Sequence, residues 1–171
     1  MSTPTQAAPS LEALLKTRVA RFAGRMADWD AFADAREEPY RRAQHRFIGA
    51  GASGKHGDTN VIPAEHFTLS IMLVPPGQGS PAHAHEVEEV LFLLKGKVAV
   101  FFEDGLGNRA EAVLEPWDCV SAPANVIHGY HNLGEEPAYL QIMLGKARPD
   151  LMGYADRNLQ DRRDDHLKSP R

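Results

Sequence analysis

Cysteine is nearly absent. One residue, Cys119, stands in a chain of 171. A single thiol closes no internal bridge, so a disulfide-dense secreted scaffold is excluded. Uninterrupted hydrophobic runs are also missing. The most apolar stretch, residues 87–102, is broken by Glu88, Glu89, Lys95, Gly96 and Lys97, too short and too charged to span a bilayer. The first residues, Met-Ser-Thr-Pro-Thr-Gln, have neither a basic nor an apolar region, so no signal peptide is read and a cytoplasmic location is the default expectation. Charge of one sign is not in excess: 19 basic and 23 acidic side chains leave a formal net charge of −4. No polybasic field is available, and nucleic acid is not an expected partner.

The remaining composition is that of a globular protein, with 43% apolar and 25% charged residues. The length suits one domain with its own core. Residues 1–9 are small and polar and are expected to lack structure. Ser10 is a helix cap, and Leu11, Leu14, Leu15, Val19 and Phe22 follow at helical spacing. Arg18, Arg21 and Arg25 suit the C-terminal end of that helix. Trp29, Phe32 and Ala33 predict a second short helical turn ended by Pro39. Residues 40–48 alternate loosely as a strand, and a Gly-rich loop over 49–60 follows. These 60 residues form an N-terminal extension.

From residue 61 the texture changes. Short apolar runs at 67–74, 87–94, 97–102, 110–114, 119–121, 127–132 and 138–144 alternate with Gly, Pro and Asn. The pattern predicts an antiparallel sandwich or barrel over 61–147. No internal repeat is present, so one barrel is expected. Residues 148–171 are highly charged and read as a tail, a surface helix at most.

The chemistry concentrates at His83, His85 and Glu89. Side chains two apart on an extended chain share a face, and Glu89 keeps that parity. Two imidazoles and a carboxylate form half of a metal site. His128, opening the run His128-Gly129-Tyr130-His131-Asn132, is the best fourth ligand. Mixed nitrogen and oxygen donors suit one divalent ion of Fe, Mn, Ni, Co or Zn, and the lack of thiolates argues against structural zinc. By parity Tyr130 faces inward with His128, as an acid/base group or as a core tyrosine. Leu91 and Leu93 line the barrel and Phe92 packs outside. On the last strand Leu140, Ile142 and Leu144 face the core. Leu91, Phe101, Trp117 and Tyr130 suggest an apolar, aromatic pocket for a small organic or aromatic substrate, with Gln78 within reach of a ligand. Arg42 and Arg46 are candidates to bind a carboxylate there.

Several features are decoys. Residues 49–56 nearly spell a phosphate-binding loop, but His56 replaces the required Ser or Thr and the following residues cannot open a helix. The stretch reads as a flexible loop or lid. Cys119 lies among apolar residues and is expected to be a small buried hydrophobe. His131 has the wrong parity to join His128. His45, His56, His66 and His166 have no partner at ligand spacing.

The spacing Gly77-x5-His83-x-His85-x3-Glu89-x6-Gly96 resembles the first motif of the cupin superfamily at every position. Pro123, His128 and Asn132 match its second motif, where Trp117 and Asn125 replace glycines. Asn tolerates the left-handed conformation, whereas Trp117 predicts an altered turn. The resemblance covers residues 77–132. It implies an all-β fold, a double-stranded β-helix or jelly-roll barrel with an N-terminal helical extension. It further implies three His and one Glu holding a metal at the wide end of the barrel, and a homodimer with residues 40–48 exchanged between copies. Cupin activities span dioxygenases, decarboxylases, isomerases and lyases, and fold alone does not choose among them. The first expectation is a metal-dependent dioxygenase in which Glu89 also serves as base. The alternatives are a redox-neutral lyase, isomerase or decarboxylase using Tyr130 or Glu89 for proton transfer, and a non-catalytic small-molecule sensor.

Overall fold

The computed structural model describes residues 10–168. The expectation for residues 1–9 and the last three residues of the tail lie outside it. Ten strands form two antiparallel five-stranded sheets packed face to face. They are β1 (Ala43–Ile48), β2 (Thr68–Val74), β3 (Gly79–Ala84), β4 (Glu89–Lys95), β5 (Val98–Glu103), β6 (Arg109–Leu114), β7 (Cys119–Ala122), β8 (Ile127–Asn132), β9 (Ala138–Leu144) and β10 (Gly153–Tyr154). One sheet has the order β1-β2-β9-β4-β7 and the other β10-β3-β8-β5-β6. This is the expected jelly roll.

Alternation builds the core. On β9, Leu140, Ile142 and Leu144 are buried, while Tyr139, Gln141 and Met143 on the other face are half-buried. On β4, Leu91 and Leu93 are buried beside Glu89, and Phe92 packs outside against Trp117. Met72, Val74, Val98, Val100 and Leu114 complete the interior. Each fully buried aliphatic side chain contributes about 1.5–3 kcal/mol, so the period-two pattern is the main force for this register.

The expected divisions do not coincide with the edges of the sheets. β1 pairs with β2 of the same chain, Ala43 opposite Leu73. The C-terminal stretch is more than a tail: Tyr154 of β10 pairs with His83 of β3, and Leu159 of helix α2 (Arg157–Lys168) is buried. Helix α1 (Leu11–Arg18) forms as expected, with Ala13 donating its amide to the Ser10 hydroxyl at 3.2 Å, but Arg21 and Arg25 lie beyond its end. No helix forms over 29–33. That segment is irregular, and Ala31, Asp34 and Ala35 are buried. The Gly-rich stretch contains a buried 3-10 turn, Gly51–Ser53, packed over the barrel end. Cys119 is exposed on β7, at a sheet edge, because it shares the outward face of its partner Phe92. Among the described residues no helix is long and apolar enough to cross a membrane.

Candidate metal centre

β3 and β8 run side by side, and their register sets His83 directly opposite His128. This close approach depends on Gly79 at the start of β3. A Cβ there would lie 2.1 Å from the Tyr130 carbonyl oxygen. β4 belongs to the facing sheet and begins at Glu89. His85 follows β3 in the turn between the two sheets. The four side chains are buried, and their ligand atoms all lie within 4.8 Å of one another. Glu89 Oε2 lies 2.6 Å from His128 Nε2 and 3.6 Å from both His83 Nε2 and His85 Nε2.

The protein orients two of these rings from behind. His83 Nδ1 sits 2.8 Å from the Pro81 carbonyl oxygen and 3.0 Å from the Ser80 hydroxyl. His128 Nδ1 sits 2.8 Å from the Val126 carbonyl oxygen. A carbonyl only accepts, so each Nδ1 carries a hydrogen and each Nε2 is directed at the centre. Donors bound to one ion at about 2.1 Å lie at most about 4.2 Å apart. A contraction of a few tenths of an ångström would bring this set into range, and the three imidazoles and the carboxylate fit a first-row divalent ion.

Electrostatics agree. Burial would raise the Glu89 pKa, but the charge of His85 and hydrogen bonds from His128 and His83 hold it well below the ordinary carboxylate value. Burial pulls His85 down to about 4, against the opposing pull of Glu89. Burial also lowers His128, but its hydrogen bond to Glu89 outweighs that and leaves it raised. Without an ion the centre holds an ionised carboxylate beside a readily protonated imidazole. A metal would displace that proton.

The centre opens on a small cavity of about 30 Å³, lined by Arg42, Tyr130, Thr68, Ser70 and Ile142, with Phe32, Ala52 and Met152 also on its walls. That volume holds about two waters. Tyr130 lines it as parity predicted. Burial pushes the phenol pKa well up despite the pull of Arg42, so the group is a proton donor at neutral pH.

Other expected site residues lie elsewhere. Gln78 is a turn residue whose Oε1 accepts the Arg41 amide at 3.1 Å. Leu91 is buried deeper in the core and does not line the cavity. Phe101 borders a cleft on the outer face of its sheet, with the Arg109 guanidinium 3.5 Å above its ring. Trp117 is 74% exposed in a left-handed turn with φ 81°. Arg46 turns to the surface and pairs with Asp28 at 2.7 Å and Asp58 at 2.9 Å. Arg42 does reach the cavity, but Asp34 already grips its guanidinium with both carboxylate oxygens, Tyr154 donates its hydroxyl to the same carboxylate, and Phe32 stacks on the cation at 4.8 Å. His131 borders the outer cleft, away from the centre. Asp34, Phe32, Met152 and Tyr154 come from segments outside the barrel motifs and were not anticipated. Thr68, Ser70 and Met72 had a usable signal, since they alternate on one strand face.

Fold and centre together define a jelly-roll barrel with a buried three-histidine, one-glutamate site. Residues 70–144 match the family model described as "Cupin domain", and this part of the chain is a cupin domain. Three solved structures share the fold. The polyketide cyclase RemF from Streptomyces resistomycificus is 16% identical with a TM-score of 0.60, over 89% of this chain and 93% of that one. A cupin 2 domain-containing protein from Halorhodospira halophila is 19% identical with a TM-score of 0.55, over 79% and 86%. An oxalate oxidase is 18% identical with a TM-score of 0.54, over 69% of this chain and 57% of its own. The chain thus spans little more than half of that oxidase. No curated protein matches the sequence significantly.

Proposed function

We propose that the chain is a metal-dependent enzyme of dioxygenase type acting on a small organic substrate. The observation that carries the reading is the donor set: three imidazole nitrogens and one carboxylate oxygen, all buried, within 4.8 Å of one another beside a small cavity. A bound iron or manganese ion would supply redox and Lewis-acid chemistry. The protein does the rest. His83, His85, His128 and Glu89 hold the ion. Phe32, Ala52 and Met152 give the cavity apolar walls. Tyr130 presents a protonated phenol to whatever lies in the cavity. Leu91, Phe101 and Trp117 do not line the space, so the support for an aromatic substrate narrows to Phe32 and Tyr130.

The Tyr130 phenol favours a second reading, a redox-neutral lyase, isomerase or decarboxylase in which that group gives a proton to substrate. Structural relatives are compatible with both chemistries, one being an oxalate oxidase and another a polyketide cyclase. Element analysis of protein purified without a chelating tag tests the common core. One iron, manganese or nickel per chain, lost in His83→Ala, is the expected result. Turnover in an oxygen-free cuvette would exclude the dioxygenase reading, and turnover after complete chelation would exclude both.

A further inference from the structure

A second cleft, of about 480 Å³, lies between the N-terminal segment, the end of the Gly-rich loop and Arg46 of β1. It shares no lining residue with the cavity at the metal centre. Its size falls in the range of small-ligand sites, about 300–1,000 Å³. Ion pairs build its polar walls. Arg46 meets Asp28 and Asp58, Lys55 meets Asp28, and Arg36 meets Asp30. Every carboxylate that lines the cleft is therefore already engaged.

Arg25 is the cation left over. It is half-buried, and it lines the cleft without a carboxylate of its own among the described residues. Its Nη1 donates to the Arg46 carbonyl at 3.3 Å and its Nη2 to Asn60 Oδ1 at 3.2 Å, both neutral oxygens. Its Nε is buried with no partner. Asp58 feels the Arg25 charge, but less than that of Arg46, to which it is bonded. Four cations against three carboxylates leave one positive charge in excess, in a chain whose formal net charge is −4. A guanidinium withdrawn from water without a counter-ion is costly, and an anion entering the cleft would remove that cost. The rest of the wall is apolar. Trp29 and Met26 line it, and Met26 is 87% exposed. The Arg41 guanidinium lies over the Trp29 ring at 5.2 Å and does not itself line the cleft.

We propose that this cleft is a binding site for a small aromatic monoanion, an aryl carboxylate, separate from the metal centre. Its carboxylate meets Arg25 and its ring lies against Trp29 and Met26. One negative charge matches the single excess cation, and a flat carboxylate suits the paired N–H groups of a guanidinium. The site goes beyond the metal-dependent reading above and does not depend on it.

The test uses the full chain carrying Trp117→Phe, which leaves Trp29 as the one tryptophan and its fluorescence as the signal. Benzoate has the ring and the charge, benzamide the ring alone, and acetate the charge alone. Benzoate should change the Trp29 emission and bind at least about tenfold tighter than benzamide, about 1.4 kcal/mol. Acetate, read by its displacement of benzoate, should be weaker than benzoate by a similar factor. Arg25→Gln should bring benzoate down to the level of benzamide and leave benzamide unchanged. Arg25→Lys keeps the charge and should keep the preference, which covers the case of a misfolded Gln variant. Protein stripped of metal should bind benzoate as tightly as protein loaded with manganese. Equal binding of benzoate and benzamide, a preference that survives Arg25→Gln, or one that disappears with the metal overturns the proposal.

Discussion

His128 Nε2 lies 2.6 Å from Glu89 Oε2, although the two residues are 39 positions apart in the chain. One belongs to the second sheet and the other to the first. The contact therefore forms only when the two sheets have closed on each other. A metal site of this kind both depends on the fold and reports on it.

Glu89→Gln keeps the shape of the side chain and removes its charge. The ion would lose its one anionic donor and the imidazoles their shared counter-charge. Metal affinity should fall by at least about 100-fold, as even supporting residues cost 10–100-fold. Thermal unfolding with and without added manganese checks this. The melting temperature of the wild type should rise with the metal, and that of Glu89→Gln should stay flat.

Tyr130→Phe separates structure from catalysis. The ring stays in the core, next to Val100 and Met72. Metal content and melting temperature should hardly change. If the phenol donates a proton to substrate, the rate should fall by about 10²–10⁴-fold. A variant that turns over at the wild-type rate would assign Tyr130 to packing alone.

Much of this centre was legible in the sequence because its signals are local. The parity of His83, His85 and Glu89 needs nothing beyond an extended chain, and the alternation of Leu140, Ile142 and Leu144 needs only one strand. β3 was not anticipated as a strand, since Gly79, Pro81 and Ala82 have little strand propensity and its pairing with β8 is a tertiary matter. The hydrophobicity of Trp117 points to the pocket, yet the residue occupies a left-handed turn that carries its ring into solvent. Arg46 has no spacing signal for Asp28 or Asp58, and Arg42 has none for Asp34 or Tyr154. Those partners meet only because the N-terminal and C-terminal segments fold over the same end of the barrel.

Asp34 joins those segments, because its carboxylate receives Arg42 from the N-terminal one and the Tyr154 hydroxyl from the C-terminal one. The Asp34 and Arg42 side chains are almost fully buried, and Arg42 Nη1 also donates to the Tyr40 carbonyl at 2.9 Å. Asp34→Ala would leave a guanidinium buried without its counter-ion, and should destabilise the fold by about 3–5 kcal/mol. Asp34→Ala combined with Arg42→Met removes both charges and should recover part of that loss. Urea unfolding of the two variants checks the order. A double variant less stable than the single one would mean that the pair does not act as a neutralised unit.

Acid should loosen the N-terminal segment first. The Asp28 carboxylate receives Arg46 at 2.7 Å, Lys55 at 2.8 Å and the Asp30 amide at 3.0 Å, and its backbone pairs with Gln44 of β1. Burial raises its pKa, but the hydrogen bonds from Lys55 and Arg46 outweigh burial and leave it below the ordinary 3.8. Asp58, which also receives Arg46, is shifted the same way: burial raises it, and the Asn60 amide and Arg46 lower it further. A carboxylate with a depressed folded pKa binds protons more weakly when folded than when unfolded. Its contribution is thus fully present above 3.8 and is lost as the pH falls through the lower folded value. The urea midpoint should drop below about pH 4, more steeply in the wild type than in Asp28→Asn. Hydrogen exchange at the Gln44 amide, which donates to the Asp28 carbonyl, should accelerate in the same window relative to the β9 amides once the intrinsic pH dependence is removed. A wild type and an Asp28→Asn variant with superimposable pH profiles would show that this ion cluster is screened by solvent and does not hold the segment to the barrel.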